Sequence, residues 1–406
     1  MMRGNGRGTD REGRARIRIA FLIPSLIAHG AERQLCELVR GLDRDRFEIH
    51  LVVSYAAGVR EGGDYWAEAA EIPGLTLHCL NKRPGPAGHL TALPRLWRML
   101  RRIRPDLLHG YLDANLPTLL VGRALSRPVA WGIRRSSHDR TQLNRLSRTL
   151  LRVMAWLSPL VDLVIFNSEA GRDSYHAMGM RAPRMVVIPN GFDVDRFAPD
   201  EGLGREQRRA WGIPEGAPLI GIVGRLSPVK DHPAFLRAAE RLAAEWPDAR
   251  FVCAGGGGKV YTESLKAMAA SLGIADRVIW PGACGDMPPV YNALTVLLLS
   301  SAEEGFPNVL GEAMACGVPC VTTQVGDAAA LVGGTGLVVP RGDDAAMAAA
   351  VSALLREPAD AATARGRECR SRICASFSTA ALARNTEEAL LSLIDLPAPA
   401  SSPSGA

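Results

Sequence analysis

A chain of 406 residues is too long for one ordinary domain, and its length predicts two or three. Hydrophobic residues make up 47% and charged residues 22%, which is typical of a globular protein and excludes a mainly disordered chain. The net charge of +6 is uneven, because residues 1–200 hold 30 Lys and Arg against 20 Asp and Glu. A basic first half favours an anionic ligand or an anionic membrane surface.

Composition also excludes two kinds of site. Aromatic residues are only 5% of the chain and do not alternate with basic residues as in proteins that stack nucleic-acid bases, so we expect no nucleic-acid partner. The eight cysteines include no CxxC pair and no Cys/His cluster at zinc-ligand spacing. They are expected to be reduced thiols in a cytoplasmic protein.

Short apolar runs alternate with longer amphipathic ones from residue 17 onward, which predicts βαβ units and parallel sheets. In the first half the predicted strands are 17–23, 47–53, 75–80, 106–109, 128–133 and 162–166, with helices that include 31–41 and 90–103. The pattern starts again after the polar segment IPNGFDVDRFAPDEG, with strands predicted at 218–224, 250–254, 277–280, 295–299, 319–323 and 336–339. The fold class is therefore α/β, with two similar domains joined near residue 200.

Two segments of the first half are basic and amphipathic. They are PRLWRMLRRIR at 94–104 and RTQLNRLSRTLLRVMAWL at 140–157, with apolar residues three or four apart and arginines between them. One interpretation is a surface helix with a solvated basic face. The other is contact with anionic membrane lipid or with a lipid-phosphate acceptor, and both stay open.

The segment EGFPNVLGEAMACGVP, residues 304–319, follows the apolar strand TVLLLSS. A Gly-Phe-Pro turn precedes Asn308, which we predict to be the N-cap of a helix. Free N–H groups at such a helix start attract anions or sugar oxygens. Glu304 and Glu312 flank this start, so both carboxylates could face one ligand, although two solvated glutamates would give the same pattern.

Three other loops are candidates for phosphate binding. Arg225 and Lys230 follow strand 218–224, where cations could neutralise a pyrophosphate, although an exposed salt-bridging pair is an equal alternative. Gly30 precedes a helix near Ala31, where the backbone could approach a phosphate, but no GxGxxG is present. The four glycines of CAGGGGKV lack a GK[ST] ending, and we interpret them as a turn.

Several of these motifs occur in the order found in one enzyme family. HGAERQL, FNSEAGRDSYHAMGM, IPNGFD, GRLSPVKD, the E-x7-E pair Glu304 and Glu312, and GLVVPRGDD follow one another along the chain. Over about residues 17–390 the chain resembles the retaining glycosyltransferases of family 4.

The resemblance implies a GT-B fold, in which two Rossmann-like parallel-sheet domains face each other across a cleft. We expect a disordered N-terminus at 1–15, an acceptor-binding domain at 16–195, a nucleotide-sugar-binding domain at 196–375, a C-terminal helix at 376–395 that crosses back to the first domain, and a disordered tail at 396–406.

The resemblance also implies roles for residues. Arg225 and Lys230 are expected to hold the donor diphosphate, Glu312 the ribose hydroxyls and Glu304 the transferred sugar. Gly30 is expected to approach the diphosphate, and backbone N–H groups of the turn are expected to contact sugar or phosphate. The full donor-binding set is Gly30, Arg225, Lys230, Glu304, Gly305, Phe306, Pro307, Asn308, Val309, Leu310 and Glu312.

The catalytic set implied is Glu304, Arg225 and Lys230 with a first-domain histidine, for which His109 and His138 are nearly equal candidates; Arg134 could also take that place. Cations and helix N–H groups can stabilise the departing diphosphate, so no metal or other cofactor is expected. Asp193-Val-Asp195 imitates a DxD metal motif but lies in the interdomain segment. His29 stands where many relatives have a second glycine. Leu294 and Thr295 stand where relatives commonly have an acidic residue, and we interpret this second departure as structural.

The expected activity is metal-independent transfer of a sugar from a nucleotide donor with retention of anomeric configuration. Family habit and the basic segments indicate a lipid-linked or oligosaccharide acceptor for a surface polysaccharide such as lipopolysaccharide, at the inner face of the cytoplasmic membrane. The alternatives are a sugar-nucleotide epimerase of the same fold and a catalytically inert glycan- or nucleotide-binding subunit. The nucleotide base and the sugar are not readable from these motifs.

Overall fold

The fold is described from a computed structural model for residues 15–27, 30–56, 65–83, 85–134 and 145–394. These residues form two compact units. The first contains the described residues up to Asn167, then Gly171–Pro189 and the described residues from Ala380 onward; the second contains Ser168–Ala170 and Asn190–Thr379. Apart from Ala15, the two ends predicted to be disordered lie outside the described residues.

The first unit is built on a seven-stranded sheet in which every neighbouring pair is parallel. Its strands are β1 Ile17–Ile23, β2 Phe47–Val53, β3 Leu75–Cys79, β4 Leu107–Tyr111, β5 Val129–Ile133, β6 Leu163–Phe166 and β7 Met185–Val187. Their order across the sheet is β3-β2-β1-β4-β5-β6-β7. The sheet changes winding direction between β1 and β4, which is the point where ligands of such sheets usually bind.

Helices cover both faces of this first sheet. They are α1 Gly30–Gly41, α2 Trp66–Ala70, α3 Pro86–Ile103, α4 Asn115–Ala124, α5 Arg145–Leu157 and α6 Glu169–Ala177, and the chain's last described helix, Thr379–Leu391, also packs into this unit. Successive residues of β1 point to opposite faces, so Phe21 packs in one core with Leu35 of α1, and Leu22 packs in another with Leu100 of α3. Burial on both faces explains the uninterrupted apolar sequence of the strand.

The second unit repeats the plan with a six-stranded parallel sheet. Its strands are β8 Leu219–Val223, β9 Arg250–Ala254, β10 Val278–Gly282, β11 Val296–Leu299, β12 Cys320–Thr323 and β13 Leu337–Val339, in the order β10-β9-β8-β11-β12-β13. Its helices are α7 Glu201–Ala210, α8 His232–Glu245, α9 Lys259–Ser271, α10 Pro288–Ala293, α11 Asn308–Ala315, α12 Ala328–Val332, α13 Asp344–Leu355 and α14 Ala359–Ser376, and α15 is the helix Thr379–Leu391 named above.

The predicted α/β class with two Rossmann-like parallel-sheet domains is confirmed. All twelve predicted strands are present within two residues of their predicted bounds, and only β7 was not predicted. Within the described part of the chain, no helix has both the length and the apolar character needed to cross a membrane.

Candidate functional site

Two loops of the second unit meet at the point where its sheet changes winding direction. Strands β8 and β11 are neighbours, with Leu297 paired to Gly221. Helix α8 packs on one face of the sheet, whereas α11 packs on the other. Ligands of such sheets usually bind at the carboxyl ends of the strands on either side of this point. The predicted residues Arg225, Lys230 and Glu304 all lie on the connections after these two strands.

The loop after β8 carries the two predicted cations. A short 3-10 turn, Pro228–Lys230, ends at Asp231, which adopts a left-handed conformation (φ 47°). The Asp231 carboxylate then accepts a hydrogen bond from the Ala234 N–H at 3.2 Å and caps α8. This sharp change of direction holds Lys230 at the end of the loop, before the helix begins.

The glycine run after β9 supports the same loop. A Cβ atom on Gly255 would lie 1.9 Å from the Gly224 carbonyl oxygen, so only glycine permits this close approach. The Gly224 N–H donates to the Ala254 oxygen at 2.9 Å and the Leu226 N–H donates to the Gly256 oxygen at 2.8 Å. The run thus packs against the backbone around Arg225, and Gly257 forms an isolated parallel bridge with Leu226.

Hydrogen bonds fix the loop after β11 against the loop after β8. The Ser300 hydroxyl lies within 3.0 Å of the Lys230 carbonyl oxygen and 2.9 Å of that of Asp231. The Ala302 N–H donates to the Val229 oxygen at 2.8 Å. Because these contacts involve the backbone, the relative position of the two loops does not depend on a ligand.

Lys230 and Glu304 are brought into direct contact. The Lys230 Nζ lies 2.5 Å from the Glu304 Oε1, and the Ser301 hydroxyl donates to the same oxygen at 2.7 Å. The two charged side chains are 19% and 12% exposed, so the pair is partly shielded yet reachable from solvent. A carboxylate and an ammonium at one point can contact a sugar hydroxyl and a phosphate oxygen of the same ligand.

The other cation of the loop, Arg225, has an exposed side chain and makes no ion pair among the described residues. His232, two residues after Lys230, is fully buried. Burial, with a smaller contribution from the nearby Lys230 charge, lowers the pKa of His232 to about 4. That histidine is neutral near pH 7, and the positive charge of this loop comes from Arg225 and Lys230.

Glu312 lies inside helix α11 and is almost inaccessible, with 2% of its surface exposed. The hydroxyl of Tyr291, on α10, donates to its Oε2 at 2.6 Å. Gly311 beside it allows the helix to pack directly on Phe192, since a Cβ atom there would lie 2.0 Å from the Phe192 ring. The Glu312 carboxylate is therefore held in one position before any ligand binds.

The turn between the two glutamates differs from the prediction in one respect. Asn308 is not the N-cap of α11 but its first residue, while Pro307 occupies the N-cap position and makes no side-chain cap. The φ of Pro307 is restricted by its ring, which sets the start of the helix, and the Asn308 Oδ1 instead accepts a hydrogen bond from Asn190 at 2.7 Å.

The backbone N–H groups predicted to bind the donor are not equally available. Pro307 has none, and the Leu310 N–H already donates to the Pro307 oxygen at 3.1 Å. The Phe306 side chain is buried against Phe192, with ring centroids 6.3 Å apart, so it supports the turn. Gly305 precedes Phe306, and the half-buried Val309 lies in the first turn of the helix. The N–H groups of Gly305 and Val309 remain candidates for binding the donor.

The remaining predicted residues belong to the first unit. Gly30 begins α1 after β1. His109 lies on the neighbouring strand β4, paired with Phe21, and is fully buried. The ring of Tyr111 lies 4.6 Å from that of His109, and the Arg134 guanidinium lies 5.1 Å from the Tyr111 ring centroid. Burial and then the Arg134 charge hold the pKa of His109 well below its usual value. His29 and His138 lie outside the described residues.

The motif that imitates a metal site has a local structural role. The Asp193 Oδ1 accepts hydrogen bonds from the N–H groups of Asp195 and Arg196, so its carboxylate stabilises a turn. Thr295 accepts from Arg208 at 2.9 Å and from the Leu219 N–H at 3.0 Å, which is the structural role expected where relatives carry an acidic residue.

Sequence reasoning missed Tyr291, Ser301 and Phe192. Each contacts a predicted residue or its neighbour: Tyr291 contacts Glu312 from 21 residues away, Ser301 contacts Glu304 from three residues away, and Phe192 packs against Gly311 and Phe306. Only Phe192 carried a signal, because it lies within the IPNGFD motif.

Comparison with known proteins agrees with this geometry. The family model for glycosyl transferases group 1 matches residues 217–357, which include both loops of the site. The model for glycosyltransferase family 4 matches residues 28–196. Together the two models account for most of both units.

Named relatives and solved structures are consistent with the family models. The chain is 31% identical over 280 residues to a GDP-mannose-dependent alpha-(1-6)-phosphatidylinositol monomannoside mannosyltransferase of Mycolicibacterium smegmatis, with 65% of this chain and 72% of that protein covered. It is 35% identical over 206 residues to a D-inositol 3-phosphate glycosyltransferase of Corynebacterium urealyticum, with 48% of this chain and 47% of that protein covered, so it spans about half the length of that relative.

Among solved structures, Anabaena HepE in complex with UDP superposes with a TM-score of 0.79 at 22% identity, covering 93% of this chain and all of that one. This likeness is one of fold. On the family models and the M. smegmatis relative, the chain belongs to the group 1 glycosyltransferases of family 4.

Proposed function

We propose that the protein transfers a sugar from a nucleotide-sugar donor to an acceptor hydroxyl, with retention of anomeric configuration. The observation that carries the proposal is the contact between Lys230 and Glu304 at the carboxyl end of β8 and β11. Eight residues after Glu304, on α11, the carboxylate of Glu312 is positioned by the Tyr291 hydroxyl. A cation, a carboxylate beside it and a second, buried carboxylate suit the phosphate, sugar and ribose parts of one ligand.

The chemistry follows from where charge develops. As the acceptor oxygen bonds to the anomeric carbon, the bond from that carbon to the diphosphate breaks and its electron pair stays on the diphosphate. The departing phosphate oxygen takes the proton of the acceptor hydroxyl. Arg225 and Lys230 stabilise the growing negative charge, so this chain supplies the electrophilic assistance with its own side chains and no step is assigned to a metal.

The two glutamates bind the two other parts of the donor, its sugar and its ribose. Glu304 accepts hydrogen bonds from hydroxyls of the transferred sugar, and Glu312 accepts them from the ribose. Gly30 lets the backbone at the start of α1 approach the diphosphate. In this proposal residues 196–375 bind the donor and 16–195 bind the acceptor, with 376–395 returning to the first domain.

For the acceptor we propose a lipid-linked molecule that carries phosphate. The two named relatives support this, since one name includes phosphatidylinositol monomannoside and the other D-inositol 3-phosphate. Helix α5 adds a surface suited to an anionic membrane. Its Trp156 is 78% exposed, in line at four-residue spacing with the exposed Arg148 and Arg152.

The first experiment is a thermal-shift screen with UDP-, GDP- and ADP-sugars, each with and without EDTA. We expect one donor class to raise the melting temperature equally in both conditions. The same donor is then tested for transfer to lipid extracts and to inositol phosphates, with the anomeric configuration of the product read by NMR. A metal requirement, an inverted product, or epimerisation without an acceptor would each contradict the proposal.

A further inference from the structure

A basic cavity lies in the first unit, at the edge of its sheet. It occupies about 390 Å³ between β3, the edge strand, and helix α3. Its lining includes Leu80, Met99, His78 and three arginines, Arg95, Arg98 and Arg102. No described lining residue is acidic. We call this site the arginine cavity.

The arginines of the cavity are not neutralised by the fold. Arg98 and Arg102 are exposed and make no ion pair within the part of the chain that the structure describes. Arg95 only donates to the Asn81 carbonyl oxygen, at 3.4 Å. Like charges three and four residues apart on a helix repel each other and destabilise it. An anion held between these guanidinium groups would remove that repulsion.

Hydrogen bonds connect His78 of the arginine cavity to the half-buried carboxylate of Glu48. The His78 Nε2 lies 2.9 Å from the His50 Nδ1, and the His50 Nε2 lies 3.1 Å from the Glu48 Oε1. A carboxylate only accepts, so His50 donates through Nε2 and its Nδ1 accepts from the Nε2–H of His78. The remaining ring nitrogen of His78, its Nδ1, is then the atom that gains a proton when this histidine becomes charged.

Glu48, at the far end of this series of hydrogen bonds, is held in its ionised form. The Arg18 Nη2 donates to the Glu48 Oε2 at 2.8 Å. Burial alone would raise the pKa of Glu48, but the hydrogen bonds from Arg18 and His50 outweigh it and the pKa is lowered. Burial and then the neighbouring His50 lower the pKa of His78, so His78 is neutral near pH 7.

We propose that the arginine cavity is a phosphate-binding site, in which Arg95, Arg98 and Arg102 hold the anion and His78 adds a fourth donor by taking up a proton. Guanidinium groups form paired, charge-assisted hydrogen bonds to phosphate oxygens. The phosphate belongs either to a soluble molecule or to a lipid headgroup. This site is additional to the donor site and does not rest on the proposed transfer activity.

Binding of inorganic phosphate to the full-length protein tests the site, by isothermal titration. R98Q/R102Q should weaken binding at least about tenfold, because two charge-assisted contacts are lost. The control R205Q/R209Q removes the same charge from exposed positions of α7 and should leave binding unchanged. K230M removes a cation of the proposed donor site, so phosphate binding that persists in K230M is binding outside that site. If phosphate binding is lost in K230M but persists in R98Q/R102Q, the phosphate binds at the donor site and the arginine cavity is not a phosphate site.

Vesicle flotation separates the two sources of phosphate. The protein is bound to phosphatidylcholine vesicles that contain phosphatidic acid, and inorganic phosphate is compared with chloride at equal ionic strength. Release by phosphate alone, with weaker flotation of R98Q/R102Q than of R205Q/R209Q, assigns the cavity to a lipid headgroup. If phosphate binds in the calorimetric titration but does not release the protein from the vesicles, the arginine cavity binds a soluble phosphate.

The role of His78 gives a separate readout. Sulfate keeps its charge between pH 7.5 and 5.5, so any pH dependence of its binding comes from the protein. The charged and titratable groups around His78 are Glu48 and His50 of β2, Arg18 of β1 and the three arginines of α3. We expect sulfate affinity to rise severalfold as the pH falls from 7.5 to 5.5, and H78N to abolish that rise. A wild-type affinity that does not change with pH would overturn the proton uptake by His78.

Discussion

Lys230 and Glu304 are 74 residues apart in the sequence and 2.5 Å apart in the structure. This ion pair joins the loop after β8 to the loop after β11, and it is also part of the proposed donor site. A donor diphosphate has to attract Lys230 away from this carboxylate, or to share it. Replacing Lys230 should therefore affect nucleotide binding differently from replacing Glu304.

The first prediction separates these two roles. K230M should weaken binding of the nucleoside diphosphate about tenfold or more and lower kcat/KM by about a hundredfold, because a cation at the leaving group is lost. E304Q keeps the shape of the side chain and releases Lys230, so nucleoside diphosphate affinity should be retained while transfer falls.

E303Q is the matched control, since it removes the same charge one residue away. Calorimetry gives the affinities, and initial rates of transfer give kcat/KM. If E304Q weakens the nucleoside diphosphate as much as K230M does, Glu304 acts at the phosphate and the proposed contact with the sugar is wrong.

The second prediction concerns the buried carboxylate. E312A should weaken nucleotide binding strongly, because the proposed ribose contact is lost. Y291F removes the hydroxyl that donates to Glu312 at 2.6 Å and leaves a buried carboxylate oxygen without that partner. Such a loss costs about 1–3 kcal/mol, so we expect weaker nucleotide binding and a lower free energy of unfolding.

Y261F makes the same chemical change on α9, where the side chain is partly exposed. Calorimetric affinity and urea unfolding are measured for all three variants. Unchanged nucleotide affinity in E312A would remove Glu312 from the donor site, whatever happens to stability.

Most of the sheet could be predicted because parallel strands covered by helices on both faces have continuous apolar sequences. LIGIV of β8 and VLLL of β11 are fully buried and were predicted within a residue. By contrast β7, MVV, has only three half-buried residues and gives no periodic signal.

The candidate site was predictable in its charged residues but not in the contacts that position them. Tyr291 stands in ordinary helical sequence, and only the folded chain brings it to Glu312, 21 residues away. The N-cap was wrongly assigned to Asn308 because residue preference favours asparagine, whereas Pro307 fixes where the helix starts.

The third prediction uses the pKa of His109. Its folded pKa is held well below the unfolded value of 6.5 by burial and then by Arg134, so protons favour the unfolded state. The stability this histidine contributes is present above pH 6.5 and is lost as the pH falls below it. The slope for one histidine is at most about 1.4 kcal/mol per pH unit.

H109L replaces the ring by an apolar side chain of similar volume and should flatten the pH dependence of the free energy of unfolding between pH 6.5 and 5. H176L, at an exposed position of α6, should not. Urea unfolding at closely spaced pH values makes the comparison. An equal slope in wild type and H109L would show that His109 is not buried in its neutral form.

The last prediction concerns helix α5 and an anionic membrane. Trp156 is 78% exposed, and its ring is suited to the interface of a bilayer, while Arg148 and Arg152 on the same row of the helix attract anionic headgroups. W156A should reduce flotation with phosphatidylglycerol vesicles severalfold at low salt. V260A shortens an apolar side chain that is 87% exposed in the second unit, and it should have no effect.

R148Q/R152Q should weaken binding at low salt but make little difference at high salt, where screening already removes the electrostatic attraction. If wild type does not float with these vesicles even at low salt, the exposed row of α5 is an ordinary solvated helix face and the membrane-associated part of the proposed function is wrong.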